Sequence, residues 1–175
     1  MTSDASPLNH CRVLVTGGLG VLGLALGRTL AERGARVCLL DRVVPPDMAT
    51  ALPDGVSVLA PVDLTDAGAV AVAMGEAAAR LGGLNALVNV AGGFRWETLA
   101  DGDIETWDRM YQMNLRTAVV TSQAALAVLR ASVPSAIVNV GALAAAKAGV
   151  GMGAYAASKA GVARLTEALA EELKD

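Results

Sequence analysis

Short runs of apolar residues alternate with longer segments of helical periodicity along the chain. The apolar runs predict five strands, at residues 12–16, 36–40, 56–60, 84–90 and 136–140. The periodic segments predict helices at residues 21–33, 67–81, 103–131 and 154–173, and Asp66 and Asp103 are candidate N-caps. Residues 43–55 contain three prolines and are predicted to be mostly loop, with room for one helical turn at about 48–52.

The predicted strands are apolar throughout, a pattern typical of parallel sheets that helices cover on both faces. Strands that alternate with helices predict an α/β fold with a doubly wound parallel sheet, the Rossmann fold, in which ligands bind at the carboxyl ends of the strands. Only five strands are predicted, so we expect the C-terminal strands of the six-stranded arrangement to be lacking. At 175 residues, the chain 1–175 is expected to form a single domain.

A glycine-rich turn joins the first predicted strand to the first predicted helix. The segment TGGLGVLG begins at Thr16, and Gly17, Gly20 and Gly23 follow at three-residue spacing. Leu22 lies in the same segment and is also a candidate cofactor-binding residue. Such glycines permit a sharp turn, a close approach of the backbone to a pyrophosphate and tight helix–strand packing. The phosphates then meet free N–H groups at the positive end of a helix dipole. In a chain with 19 glycines this signal is weak by itself.

Asp41 ends the second predicted strand, 18 residues after Gly23. An acidic side chain at this position accepts hydrogen bonds from the ribose hydroxyls of NAD and repels the 2′-phosphate of NADP. An ordinary aspartate at the end of a strand is the alternative. Since Arg42 follows directly, the sequence predicts NAD as the cofactor and leaves NADP possible.

Tyr155 and Lys159 are four residues apart in a predicted helix, which places both on one face. A lysine ammonium beside a phenol stabilises the phenolate, and the tyrosine is then able to exchange a proton at a carbonyl or imine. Taken alone, this spacing is common on solvated helices. Its position after a strand of a predicted nucleotide-binding sheet favours the catalytic interpretation.

Composition excludes several classes of function. The chain is 54% hydrophobic with a net charge of −3 and has no cluster of Lys and Arg, so nucleic acid is not an expected partner. No apolar run is long enough to span a membrane, and residues 1–10 do not resemble a secretory signal.

The only histidine, His10, excludes a His-based triad or a His-rich metal site. Cys11 and Cys38, placed at predicted strands, indicate buried thiols in a reducing cytoplasm rather than a disulfide or a metal site.

Several motifs in order resemble the short-chain dehydrogenase/reductase superfamily over nearly the whole chain. The matching segments are Thr16 to Gly23, Asp63 with Leu64, Asn89 to Gly92 in NVAG, Asn114 in MNL, and Tyr155 to Lys159 in YAASK. The glycine spacing, TGxxGxxG rather than TGxxxGxG, is a departure that resembles extended members of the superfamily.

The resemblance implies a role for each matching residue. Asp63 and Leu64 would hold the adenine, and Asn89, Ala91 and Gly92 would support the sheet and line the cofactor site. Asn114 would maintain a water-linked proton path, Lys159 would also bind the nicotinamide ribose, and Tyr155 would be the general acid/base. The alternatives are that Asn89 and Asn114 satisfy buried backbone groups and that Asp63 is a turn residue.

A larger departure is Ala142, thirteen residues before Tyr155, where the family usually has a substrate-orienting serine. Alanine donates no hydrogen bond to a carbonyl oxygen, and the loss of one such donor weakens transition-state stabilisation. Dihydropteridine reductases, which are similar in the segments Val90 to Gly93 and Gly141 to Lys147, also lack this serine and reduce a C=N system. Phe94 and Trp96 would then stack on a flat substrate ring, or else close an apolar loop over the sheet.

The resemblance implies an NAD(P)-dependent oxidoreductase that transfers a hydride between NAD(H) and a small carbonyl, alcohol or imine-like substrate. The alternatives are an enzyme similar to dihydropteridine reductase and a non-catalytic protein that binds or senses a dinucleotide. The family also implies a cytoplasmic homo-oligomer, a dimer or tetramer, with no membrane or nucleic-acid partner. Small residues on the last two helices, among them Ala118 and Ala160, would allow close approach of the subunits.

Overall fold

The computed structural model describes residues 8–44 and 52–174. Its strands are β1 (Arg12–Thr16), β2 (Arg36–Leu40), β3 (Val56–Leu59), β4 (Ala86–Asn89) and β5 (Ala136–Asn139). Its α-helices are α1 (Val21–Glu32), α2 (Ala67–Leu81), α3 (Ile104–Met110), α4 (Thr117–Arg130) and α5 (Gly153–Glu172). The helical turn predicted at about 48–52 lies almost entirely outside the described residues.

The five strands form one parallel sheet in the order β3-β2-β1-β4-β5. The register pairs Thr16 with Leu40 on one side and with Asn89 on the other, so that β1, β2 and β4 end side by side. The prediction of a doubly wound α/β fold is confirmed. From β1 the chain adds β2 and β3 on one side of the sheet and then β4 and β5 on the other. The strand order therefore reverses between β1 and β4, and such a reversal is where these sheets bind ligands.

Alternate residues of the central strands enter two separate hydrophobic cores. Val13 and Val15 pack with residues of α1 on one face of the sheet, whereas Leu14 packs with residues of α2 and α4 on the other. This division follows from the two-residue period of a strand. The expected covering of both faces is incomplete at the edge strand β5, where Val138 is 51% exposed.

Two aspartates cap helices as predicted. The Asp66 carboxylate accepts hydrogen bonds from the N–H groups of Gly68 and Ala69, and the Asp103 carboxylate accepts one from Thr106. β1, β2 and α2 have the predicted boundaries, and most of the other elements differ by one or two residues.

The long third helix is not a single regular α-helix, contrary to the prediction for residues 103–131. Between α3 and α4 the chain forms a π-helical turn over Tyr111–Arg116. Such turns contain one extra residue per turn and frequently occur at functional sites. This turn contains Asn114, which is 1% exposed.

The two cysteines lie in different surroundings. Cys38 is fully buried in β2, and burial raises the pKa of its thiol. Cys11 precedes β1 rather than lying within a strand, and it is half-buried. Neither cysteine forms a disulfide with another described residue.

Candidate functional site

A groove of about 620 Å³ lies at the carboxyl edge of the sheet, over the ends of β1, β2 and β4. It brings together nine of the predicted cofactor-binding residues, namely Gly17, Gly20, Leu22, Gly23, Asp41, Asp63, Leu64, Ala91 and Gly92. Two predicted residues, Asn89 and Lys159, do not line it. Several residues that the sequence did not single out do, including Leu19, Arg109 and Thr117.

The turn between β1 and α1 is too tight for side chains at three of its glycines, Gly17, Gly18 and Gly23. Gly17 has a φ of 61°, and a Cβ there would lie 2.8 Å from the backbone of Ala91. A Cβ on Gly23 would lie 2.2 Å from the carbonyl oxygen of Gly17. Backbone atoms cause the clashes at Gly17 and Gly23, so no change of rotamer would relieve them. The turn therefore brings bare backbone to the floor of the groove.

The N-terminus of α1 opens into this groove. Val21, the first residue of the helix, lines the groove and is 94% exposed. Within the described part of the chain, no side chain caps this helix end and no acidic residue lies in its first turn. The first N–H groups of a helix lack partners within the helix and carry its positive dipole end. The geometry therefore fits the pyrophosphate of a dinucleotide.

Asp41 joins the glycine turn to the end of β2. One carboxylate oxygen accepts a hydrogen bond of 2.9 Å from the N–H of Leu19, and the other accepts one of 2.7 Å from the N–H of Arg42. The carboxylate is thereby fixed at the rim of the groove. It retains lone pairs with which to accept hydrogen bonds from ribose hydroxyls.

Asp63 and Leu64 form the wall of the groove beyond β3. The Asp63 carboxylate accepts hydrogen bonds from the N–H and the hydroxyl of Thr65, at 2.9 and 2.7 Å. These bonds, first the backbone and then the hydroxyl, lower the pKa of Asp63 below its ordinary value. Leu64 is buried and presents an apolar surface to the groove.

Asn89 lies below the groove, in a row of polar residues across the carboxyl ends of three strands. Its side-chain oxygen accepts a hydrogen bond of 2.7 Å from the hydroxyl of Thr121, and its amide donates one of 2.8 Å to Asn139. On its other side, the Thr16 hydroxyl accepts hydrogen bonds from the N–H groups of Val90 and Ala91. These contacts hold the groove floor in place but do not expose Asn89 to a ligand.

Asn114 connects the groove to α5. Its side-chain oxygen accepts a hydrogen bond of 2.8 Å from the N–H of Gly93, and its amide donates to the carbonyl of Gly93 at 3.1 Å. The same amide donates to the hydroxyl of Ser158 at 2.9 Å. Ser158 in turn donates to the carbonyl of Tyr155 at 2.7 Å. Sequence reasoning missed Ser158, although its place in the YAASK motif was a usable signal.

Tyr155 and Lys159 lie one turn apart on α5. Lys159 is 6% exposed, its ammonium donates a hydrogen bond of 2.7 Å to the carbonyl of Val140, and burial lowers its pKa. A Cβ built on Gly92 would lie 3.5 Å from the Lys159 nitrogen, so the lysine reaches the end of the groove. Tyr155 is half-buried. Its ring contacts that of Phe94 edge to face, with 5.0 Å between the ring centroids.

Ala142 occupies the position where the family that the chain resembles usually has a serine. Its backbone is extended, with φ −156° and ψ 151°, and it precedes a 3₁₀ turn at Leu143–Ala145. The residue is half-buried and its methyl group donates no hydrogen bond.

Neither a metal-binding cluster nor a membrane-spanning helix is evident among the residues that the structure describes. Among the described residues, no group of three or more His, Cys, Asp and Glu side chains is arranged to hold a metal ion. None of the helices found in residues 8–44 and 52–174 is long and apolar enough to cross a membrane.

Curated proteins with similar sequences include dehydrogenases. The chain is 32% identical over 133 residues to D-beta-hydroxybutyrate dehydrogenase of Rhizobium meliloti, covering 73% of this chain and 52% of the relative. It is 36% identical over 153 residues to cis-4-hydroxycyclohexanecarboxylate dehydrogenase of Sinomonas cyclohexanicum, covering 78% and 61%. The chain thus spans about half the length of the curated relatives it matches.

Two solved structures with the same fold contain dinucleotides. An NADH-dependent reductase, A1-R′, complexed with NAD has a TM-score of 0.85 at 30% identity, over 93% of this chain and 72% of that one. A short-chain dehydrogenase of Burkholderia cenocepacia in complex with NADP has a TM-score of 0.85 at 34% identity, over 96% and 70%.

A family model described as short chain dehydrogenase matches residues 12–175, nearly the whole chain. This match includes the glycine turn, the groove and the Tyr155–Lys159 pair. The chain therefore belongs to the short-chain dehydrogenase family.

Proposed function

We propose that the chain is the NAD(P)-binding domain, at residues 1–175, of an oxidoreductase that transfers a hydride between NAD(H) and a small carbonyl, alcohol or imine-like substrate. The observation that carries the proposal is one continuous groove, which runs from the glycine turn to Gly92 beside Lys159. The names of the relatives, which are dehydrogenases and reductases, support the same reaction class.

The groove residues divide the binding of the dinucleotide among them. The N-terminus of α1 and the bare backbone of Gly17 and Gly20 would bind the pyrophosphate. Asp41 would accept hydrogen bonds from the adenosine ribose, and Asp63 and Leu64 would border the adenine. The bound cofactor supplies or accepts the hydride.

Tyr155 and Lys159 would handle the proton. In the reducing direction the Tyr155 hydroxyl gives its proton to the substrate oxygen or nitrogen as the hydride reaches the neighbouring carbon. The Lys159 ammonium would favour the resulting phenolate by its charge and would also bind the nicotinamide ribose, a role supported by the position of its nitrogen beside Gly92. Asn114 would act as a positioning residue, since its side chain joins Gly93 to the α5 segment through Ser158.

The charge at the rim of the groove favours NAD over NADP. The Asp41 carboxylate would repel a 2′-phosphate, whereas the adjacent Arg42 would offset part of that repulsion. Calorimetric titration of the chain with NADH and then NADPH tests this proposal, and we expect tighter binding of NADH. Failure of the folded chain to bind either cofactor would contradict the proposed function.

The role of Tyr155 is tested by Tyr155→Phe, which removes the proton donor and keeps the ring. We expect NADH affinity to be unchanged and turnover to fall by about 10³-fold, the middle of the range for general acid–base catalysis. Tyr111→Phe, a change at an exposed tyrosine of the π turn, serves as the control. Unchanged turnover in Tyr155→Phe would exclude the assigned role.

Ala142 favours two further candidates, because it leaves Tyr155 without the usual second donor to a carbonyl oxygen. One is reduction of a quinonoid C=N system, as in dihydropteridine reductases, and the other is dinucleotide binding without catalysis. Turnover of a quinonoid pterin but not of ketones would identify the first. Tight NADH binding without any turnover would identify the second.

We also propose that the protein acts in the cytoplasm as a homo-oligomer, a dimer or tetramer, that binds neither nucleic acid nor membranes. The proposal is supported by small residues on α4 and α5, such as Ala124 and Ala160, which are only half-buried in the single chain.

A further inference from the structure

The aromatic residues of this chain are few and lie close together in the sequence. All five lie between positions 94 and 155, although the chain has 175 residues. Phe94 and Trp96 follow β4, Trp107 lies on α3, Tyr111 lies in the π turn and Tyr155 lies on α5. The core of the sheet is therefore built without aromatic residues, and every aromatic ring belongs to the side of the molecule that carries Tyr155.

Phe94 directly adjoins the candidate acid/base. Its ring stands edge to face against that of Tyr155, with an interplanar angle of 84° and 5.0 Å between centroids. Even so, Phe94 remains 53% exposed. A residue that only closed a hydrophobic loop would be expected to bury its ring, whereas half of this ring is accessible beside the phenol.

Trp96 is held in place on one side and open on the other. A Cβ built on Gly151, which has a φ of 72°, would lie 2.3 Å from the indole ring, so the indole rests directly on the backbone of this glycine. The N–H of Glu97 donates a hydrogen bond of 2.9 Å to the carbonyl of Gly151. Trp96 is nevertheless 58% exposed. These contacts fix the loop after β4 against the loop before α5 and keep the indole accessible.

The segment that begins at Ala142 has no side chain able to form a hydrogen bond with a substrate as far as Ala145. Ala142 has no polar side-chain atom, and the residues that follow it, Leu143–Ala145, are all apolar. A substrate oxygen at Tyr155 would thus receive no hydrogen bond from a side chain of this segment, so apolar contact would contribute more to substrate recognition here. Aromatic rings that pack against each other gain binding free energy beyond that of the area they bury.

We propose that Phe94 and Trp96 form an aromatic wall that selects substrates whose reacting carbonyl or imine is conjugated to, or part of, a planar ring. This inference rests on the proposed function, because it assigns the substrate class of the Tyr155 site. In the reducing direction the carbonyl carbon accepts the hydride of NADH, with its two electrons, and the oxygen accepts the Tyr155 proton. The products are the secondary alcohol and NAD⁺, and the phenolate regains its proton from solvent.

Two ketones of similar size test the planar-ring preference. Acetophenone carries a planar ring next to the carbonyl, and cyclohexyl methyl ketone is its saturated counterpart. We expect kcat/KM with NADH to be at least 10-fold higher for acetophenone. Phe94→Leu and Trp96→Leu should each reduce this ratio at least threefold while leaving the Kd of NADH unchanged. Leu99→Ala, which alters an 81% exposed residue of the same loop, should leave the ratio unchanged.

Three outcomes would overturn the proposal. The first is a ratio of kcat/KM for the two ketones near one in the unmodified chain. The second is an unchanged ratio in both leucine variants. The third is faster oxidation of a small aliphatic hydroxy acid than of the alcohol that corresponds to acetophenone. The last outcome would mean that charge recognition, for example by the exposed Arg95, decides specificity.

A binding measurement separates failure of the aromatic wall from failure of the proposed function. The chain has two tryptophans, so Trp107→Phe leaves Trp96 as the only one. In this variant, acetophenone should quench Trp96 fluorescence, after correction for its quenching of free tryptophan, at a lower concentration than the saturated ketone, whether or not turnover occurs. Equal quenching by both ketones would exclude the wall even if NADH binds. Absence of NADH binding with selective quenching would exclude only the oxidoreductase function.

Discussion

The two ends of the groove are built by different means. At the end near β1 and β2, backbone atoms form the surface, and glycines at positions 17 and 23 allow the chain to pass where no Cβ would fit. At the end near α5, buried polar side chains lie behind the surface, and Asn114 and Ser158 connect segments that are distant in sequence. The first end is sensitive to added atoms, whereas the second is sensitive to the loss of polar atoms.

The difference follows from what each end has to do. A pyrophosphate is bound by main-chain N–H groups, which are present at every position and need only to be exposed and oriented. A proton-transfer site needs particular side chains at fixed distances, and their positions depend on further hydrogen bonds behind them. Substitutions at the two ends of the groove should therefore differ in their effects on stability, NADH binding and turnover.

The largest effect is expected from Gly23→Ala. Its Cβ would lie 2.2 Å from the Gly17 carbonyl oxygen, and relief requires a shift of the backbone. We expect a loss of about 3 kcal/mol in the free energy of unfolding, at the upper end for overpacking, together with loss of NADH binding. Chemical denaturation and calorimetry measure the two effects.

The matched control for this change is Gly75→Ala in α2. A Cβ there meets no atom within 4 Å, so the substitution only improves helix propensity. It should stabilise the protein by about 1 kcal/mol and leave NADH binding unchanged. Equal destabilisation by both substitutions would contradict the assignment of the glycine turn as a specially constrained backbone.

The next largest effect is expected from Asn114→Ala, at the other end of the groove. It leaves the half-buried N–H of Gly93 without an acceptor and the buried Ser158 without a donor. We expect a loss of about 2 kcal/mol in the free energy of unfolding. Turnover should fall more than NADH affinity, because the change loosens α5 rather than the glycine turn.

Gln123→Ala, which removes an exposed amide on the following helix, is the control and should change stability by less than about 0.5 kcal/mol. If Asn114→Ala raised the Kd of NADH as strongly as Gly23→Ala, the proposed separation of the two ends would be wrong.

The smallest effect is a change in the pH dependence of stability through Lys159. Burial lowers its folded-state pKa below the ordinary value of 10.5, so between these two values the unfolded chain binds more protons than the folded one. The free energy of unfolding should therefore rise with pH through this interval, because the cost of the buried charge disappears.

Urea denaturation across this pH interval, in the unmodified chain and in Lys159→Met, measures the effect. The rise should be absent in Lys159→Met and present in Lys174→Met, which alters an exposed lysine. An identical profile in Lys159→Met would show that other groups dominate this pH range.

Features with local signals could be predicted from the sequence. The aspartates before α2 and α3 marked the helix starts, and the apolar runs located all five strands and their parallel arrangement. The π turn at Tyr111–Arg116 could not be predicted in this way. It changes the helical period by a single residue, and the surrounding apolar pattern is compatible with a continuous helix.

The candidate site likewise contains features that the sequence predicts and features that it does not. Its glycines and Asp41 follow one another along the chain in a recognisable order, and they line one groove. The partners of Asn89 and Asn114 could not be identified, because Thr121, Asn139 and Ser158 lie 32, 50 and 44 residues away in sequence. Nor did any local pattern indicate that Gly151 lies against Trp96, a contact between two loops.

The π turn also places a constraint on chain length. Deleting one residue between positions 111 and 116 would allow α3 and α4 to join as one regular helix. Each residue of an α-helix corresponds to a rotation of about 100°, so α3 would then turn by that angle relative to α4. Trp107 would leave its place beside Gly153 at the start of α5. The spacing between the two helices is thus part of the site, and relatives of this chain should vary the side chains of the segment more readily than its length.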